Sequence, residues 1–117
     1  MTTSLLDGVT VVELGDRLAA GACGSLLAQF GATVFCVERD ATATGGKWAH
    51  RAQFVAGKER LSVHPGRAGD MTLLADLIGR AHCVLTSTDA DAPWPDPIKA
   101  AIGRVPVRCD LSAFGRS

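Results

Sequence analysis

Apolar residues in this chain fall into two alternating patterns: short continuous runs and longer stretches with helical spacing. Val9-Thr10-Val11-Val12-Glu13-Leu14 is β-branched and mostly apolar. It reads as a strand buried on both faces, as in a parallel sheet. Gly15-Asp16-Arg17 interrupts it. Leu18 to Phe30 is small, apolar and free of proline, and Leu18, Ala22, Leu26 and Phe30 recur at helical spacing with Leu27 beside them. Gly31 fits the residue just past the end of that helix. Ala32 to Glu38 is a second apolar strand, ended by Arg39-Asp40. Strand, helix and strand in about 30 residues make a βαβ unit with a right-handed crossover and parallel strands.

The alternation continues. Ala41 to Gly57 is loop-like. Leu61-Ser62-Val63 is a short strand closed by Pro65-Gly66. Asp70 to Arg80 is an amphipathic helix with Asp70 as N-cap and Leu73, Leu74, Leu77 and Ile78 as its apolar face. Cys83 to Thr86 is a third buried strand. A proline-rich turn, Pro93 to Pro97, leads to a short helix over Ile98 to Gly103, and Val105 to Leu111 gives a last strand. The expected fold class is therefore α/β: a Rossmann-like, open, mostly parallel sheet with helices on both faces. Ligands of such sheets sit outside the carboxyl ends of the strands. The segments to watch are Gly15–Ala19, Arg39–Arg51, Thr86–Asp91 and Ser112–Ser117.

Composition narrows the function classes. The 117 residues suit one domain, are 47% hydrophobic and 21% charged, and carry no formal net charge. No basic excess points to nucleic acid or to an anionic membrane. Apolar stretches fall far short of the ~20 residues needed to span a bilayer. The first residues lack the basic and apolar regions of a signal peptide, so a cytoplasmic location is expected. The four cysteines, Cys23, Cys36, Cys83 and Cys109, form no CxxC pair and sit in apolar runs. They read as buried free thiols, with no metal site.

Familiar catalytic motifs are missing. Gly15 and Gly21 do not make a GxGxxG fingerprint, although Glu38 ends the second strand where a dinucleotide fold would bind ribose. There is no GxxxxGK[ST] and no GxSxG. His50, His64 and His82 are far apart in sequence and read as surface or satisfied side chains. Basic residues gather in the predicted ligand-side loops: Arg17, Arg39, Lys47, Arg51, Lys58 and Arg60. They suit phosphate groups, and equally suit solvated surface charges.

A series of segments, in order, resembles the family III (CaiB/BaiF) CoA-transferases. Leu6-Asp7-Gly8-Val9-Thr10-Val11-Val12-Glu13-Leu14 is similar to the family's opening L-x-G-[IV]-x-V-[LV]-[DE]-[LF]. Ala19-Ala20-Gly21-Ala22 resembles its AGP turn, and Leu26 to Val34 its LLADLGADV. Cys36-Val37-Glu38-Arg39 resembles K-[IV]-E-[RP]. Gly45-Gly46-Lys47 with Arg51 is similar to GGD…R, and Phe54 with Lys58 to F-x-x-x-N-K. Leu74 to Leu85 resembles L-x-x-L-x-x-x-ADVL, and Asp110 to Gly115 resembles x-x-S-G-F-G.

The resemblance implies a single Rossmann-like N-terminal CoA-transferase domain over residues 1–117, cut from a longer chain, within an interlaced homodimer. Coenzyme A or acyl-CoA is then the substrate, with carboxylic acids as partners and with no metal, nucleic acid or membrane. Transferases of the family use an aspartate that attacks the thioester and forms an acyl-enzyme anhydride. That aspartate lies beyond the S-G-F-G block, so no catalytic residue is named here. By resemblance, Leu18 and Ala19 would lie against CoA through their backbone. Arg39 would contact the nucleotide or its phosphates, and Lys58 is a further candidate for that task. The chain departs from the family pattern at Ala22, Lys47, the Thr86 to Asp89 segment and Ala92 to Pro95. Those departures motivate one alternative, a non-catalytic binding or oligomerisation module of the same family; because some relatives racemise acyl-CoA thioesters, an acyl-CoA racemase piece is another. An unrelated nucleotide-fold protein is a third.

Overall fold

The computed structural model describes residues 5–14, 18–39, 57–87 and 94–111. Its elements run β1 (Thr10–Glu13), α1 (Leu18–Gln29), β2 (Thr33–Arg39), β3 (Glu59–Val63), α2 (Ala68–Gly79), β4 (Cys83–Ser87), α3 (Asp96–Gly103) and β5 (Val107–Leu111). The strands form one five-stranded sheet in the order β3-β2-β1-β4-β5. Every pairing is parallel.

This order dictates where the helices lie. The chain moves outward from β1 through α1 to β2. It then returns from β3 through α2 to β4, and continues through α3 to β5. Right-handed crossovers in opposite directions must use opposite faces. The core divides accordingly. Val11, Val34 and Leu85 pack against Leu27 and Ala28 of α1. Val12, Leu14, Val37, Val63 and Val84 pack against Met71, Leu74 and Ile78 of α2 and Ile98 and Ala101 of α3. Direction reverses between β1 and β4, so the switch point lies at their carboxyl ends.

Local chemistry sets the boundaries. Gly31 at φ 104° ends α1 in the left-handed region that glycine tolerates best. Pro97 sits in the first turn of α3, where its missing N–H costs nothing.

Three expectations need correction. The inward stripe of α1 is not Ala22, Leu26 and Phe30. Ala22 is exposed, and Leu26 and Phe30 keep 53% and 47% of their surface in solvent. The buried positions are Gly21 and Gly24, with Leu27 and Ala28 following. Small residues face inward because the helix lies close over side chains of the sheet. The α2 helix starts earlier than expected, with Arg67 rather than Asp70 at the N-cap. Asp70 lies in its first turn, and its Oδ2 accepts the His64 N–H at 2.9 Å. The buried face of that helix is Met71, Leu74 and Ile78, whereas Leu73 is exposed. Finally, the four cysteines are free thiols, but only Cys36 is fully buried; Cys23, Cys83 and Cys109 are partly exposed.

Candidate functional site

Glu13 is the last residue of β1 and is 1% exposed. Strand alternation turns Val12 and Leu14 toward α2 and α3, and Val11 and Glu13 toward α1. Sheet register places Glu13 in a single rung that crosses all five strands: Arg60, Cys36, Glu13, Leu85 and Cys109. Closer to the strand starts this face is apolar, with Val11 and Val34. Toward the carboxyl ends of β1, β2 and β3 it becomes charged.

The charges are paired. Lys58, just before β3, donates from Nζ to Glu13 Oε1 at 2.7 Å and to the Gly21 carbonyl of α1 at 3.0 Å. The thiol of Cys36 donates to Glu13 Oε2 at 3.4 Å. The Lys58 and Glu13 side chains are 0% and 1% exposed. A buried ion pair repays its desolvation only when further hydrogen bonds surround it. Here the second carboxylate oxygen takes the Cys36 thiol, and the ammonium takes the Gly21 carbonyl as well. Gly24 makes the room: a Cβ there would collide with the Glu13 carboxylate and press on Lys58 Nζ.

A second pair stands beside the first. Glu38, 5% exposed, accepts from Arg60 Nη2 at 3.1 Å on Oε2 and 3.4 Å on Oε1. The Arg60 side chain is 51% exposed. Glu38 is the penultimate residue of β2, so this pair reaches the carboxyl edge of the sheet.

The expected binding residues converge on that edge. Leu18 and Ala19 open α1, directly after β1, and Arg39 ends β2. Lys58 joins them from beneath, its ammonium turned inward to Glu13 and Gly21. Arg17, Lys47 and Arg51 lie outside the described residues, as do His50 and most of the loops expected to face a ligand. The two described histidines are satisfied: Nδ1 of His82 accepts the Thr10 N–H, and Nδ1 of His64 accepts the Gly66 N–H, each at 3.0 Å.

Two partly buried thiols lie on the α1 face. Burial pushes the Cys23 thiol up, with Cys109 and Glu13 adding to the effect and Lys58 opposing it. Burial likewise raises Cys83, helped by Cys109 and Cys23. Thiols so placed stay protonated and unreactive near neutral pH. Among the described residues no group of His, Cys, Asp and Glu has the arrangement of a metal site. None of the described helices is long and apolar enough to cross a membrane. A shallow groove between α2 and β3, lined by Phe35, Leu61, Leu73 and Leu77, opens at the starts of β2 and β3 and away from the carboxyl edge.

Sequence reasoning missed Glu13 and Gly24. The signal was present: a carboxylate inside a run buried on both faces demands a cation, and a glycine in the next helix makes space for one.

The order 3-2-1-4-5 and the switch point define a Rossmann-like α/β fold with a charged carboxyl edge. Its sequence matches the model of the CoA-transferase family III over residues 6–94. The chain belongs to that family. Solved structures share its fold. A CaiB/BaiF family protein from Brucella suis superposes with a TM-score of 0.70 at 22% identity, over 99% of this chain and 35% of that one. Rv3272 from Mycobacterium tuberculosis gives 0.72 at 22% identity, over 98% and 34%. A short chain dehydrogenase/reductase family protein gives 0.51 at 20% identity, over 74% and 35%. The chain thus spans about a third of the length of the proteins it superposes on. No curated protein matches its sequence.

Proposed function

We propose that this chain supplies the nucleotide-binding part of an enzyme that moves coenzyme A between carboxylic acids. The observation that carries this reading is the family match over residues 6–94, which covers β1, α1, β2, β3, α2 and β4 and so the whole switch point. CoA would lie along the carboxyl edge of β1, β2 and β4. The backbone of Leu18 and Ala19 would line it at the start of α1, where unsatisfied N–H groups favour an anion. Arg39 would take nucleotide phosphate, for which a guanidinium is well suited. Lys58 would hold the α1 entry against β1 from below rather than touch the ligand.

The reaction itself follows the family chemistry. A carboxylate attacks the thioester carbonyl, CoA leaves as the thiolate, and the acyl group stays on the enzyme as a mixed anhydride. The CoA thiolate then attacks the enzyme's own carbonyl in that anhydride and releases the donor acid; the acceptor carboxylate displaces the thiolate from the resulting enzyme thioester, and the thiolate attacks the acceptor carbonyl of the second anhydride, which gives the new thioester and frees the enzyme carboxylate. No residue of this chain is assigned as the nucleophile. A cytoplasmic homodimer is the assembly expected.

Calorimetric titration of the chain with CoA tests the reading. Saturable binding that weakens about tenfold in Arg39→Ala, the scale of one charged hydrogen bond, is the expected result. Absence of binding by the wild-type chain would overturn it.

A further inference from the structure

We propose that Glu13 and Lys58 are positioning residues that fix the ligand-facing half of α1 without touching the ligand; this rests on the CoA-binding reading above. The two halves of the helix are held by different means. Its carboxyl-terminal half is anchored by apolar side chains, with Leu27 and Ala28 packed on Val11, Val34 and Leu85. Backbone contacts close that end: the Leu6 N–H donates to the Phe30 carbonyl at 2.8 Å, and the Ala32 N–H to the Leu27 carbonyl at 3.1 Å. The amino-terminal half turns glycine inward. Gly21 and Gly24 are buried there, and neither has a side chain to pack. Among the described side chains of that half, only Cys23 meets the same apolar cluster, and it is partly exposed.

Lys58 supplies the anchor that the glycines cannot. It precedes Glu59, which pairs with Phe35, whereas Glu13 pairs with Cys36 from the other side of β2. The lysine therefore reaches across β2 on the α1 face. Its Nζ donates to Glu13 Oε1 at 2.7 Å and to the Gly21 carbonyl at 3.0 Å. The pair fills the room that glycine leaves, because a Cβ on Gly24 would collide with the carboxylate. Neither side chain is open to a ligand: Lys58 is 0% and Glu13 is 1% exposed. Any influence they have on binding passes through α1. Replacing both charges with apolar groups preserves burial. It also removes the bond that ends on the helix backbone. The fold then survives while the amino-terminal half of α1 loosens. A ligand that needs this half in place binds more weakly, in proportion to the fraction of molecules that keep it there.

The test compares Glu13→Leu/Lys58→Met with the wild-type chain by urea unfolding, amide hydrogen exchange and calorimetry with CoA. Glu13→Gln/Lys58→Met is the second variant, should the first not fold. Unfolding stability should stay near that of the wild-type chain. Exchange should quicken about tenfold or more at Ala22 to Ser25 and stay unchanged at Leu27 to Gln29. Affinity for CoA should fall about tenfold. Affinity that returns together with stability would overturn the positioning role, and so would faster exchange with unchanged affinity. Affinity lost without any change in exchange would overturn it as well, by giving Lys58 a direct part in the ligand contact. If neither variant folds, the pair is a requirement of the fold and the positioning role falls. A wild-type chain that binds no CoA would overturn the CoA reading itself; the exchange comparison then still decides whether Lys58 anchors α1.

Discussion

Lys58 and Glu13 are 45 residues apart in sequence, and their side chains meet at 2.7 Å with essentially no solvent contact. Lys58 also binds the Gly21 carbonyl. One ammonium thus ties the start of β3, the end of β1 and the first turns of α1 together, beneath the edge where a ligand would bind.

Removing one partner leaves an uncompensated buried charge. Lys58→Met should therefore destabilise the chain by about 3–5 kcal/mol. Glu13→Leu/Lys58→Met, which removes both charges, should recover most of that loss. Urea unfolding of the two variants measures the difference. A double variant no more stable than Lys58→Met would show that the pair is not the source of the effect.

Space for the pair comes from Gly24. Gly24→Ala places a methyl group against the Glu13 carboxylate and should cost about 1–3 kcal/mol, as overpacking does. Gly69 in α2 is the control, because a Cβ there meets nothing within 4 Å. Gly69→Ala should leave stability unchanged or raise it by about 0.4–1 kcal/mol through the unfolded chain. Thermal midpoints that move in opposite directions for the two alanines would bear this out; equal shifts would not.

The element types were legible in the sequence because runs such as Val9 to Leu14 and Leu73 to Ile78 carry their period openly. The face each helix buries was less legible. In α1 the apolar content is nearly uniform, so Leu26 and Phe30 looked as suitable for burial as Leu27. The deciding fact is the bulk of Glu13 and Lys58 under Gly21 and Gly24, which is a tertiary constraint. Arg39, Leu18 and Ala19 could be placed at strand and helix ends from the chain order alone. The inward turn of Lys58 could not, because its partner lies three elements away.

The same distinction can be tested in α2. Leu74 is fully buried and Leu73 is 58% exposed, although the two are adjacent and identical in chemistry. Leu74→Ala should cost about 2–5 kcal/mol through lost burial and a residual cavity. Leu73→Ala should stay within about 0.5 kcal/mol of the parent chain. Similar denaturant midpoints for the two variants would contradict the packing of α2 on the sheet.

Cys23 and Cys83 carry thiols whose proton affinity is raised in the folded state, first by burial and then by neighbouring groups. For an acid with a raised folded value, the folded state holds its proton longer than the unfolded chain does. The associated stability is therefore present below the ordinary thiol value of 9.0 and is lost as pH rises through the folded value. Stability of the wild-type chain should fall as pH climbs past that point. In Cys23→Ala/Cys83→Ala the fall should be shallower, whatever the starting stability. Urea unfolding at a series of alkaline pH values supplies the slopes. Alkylation gives an independent check, since only the thiolate attacks. In the folded chain both cysteines should react with iodoacetamide more slowly at pH 8 than they do in urea, with the rate rising steeply at higher pH. Equal rates in the folded and unfolded chains would show that burial does not restrain these thiols.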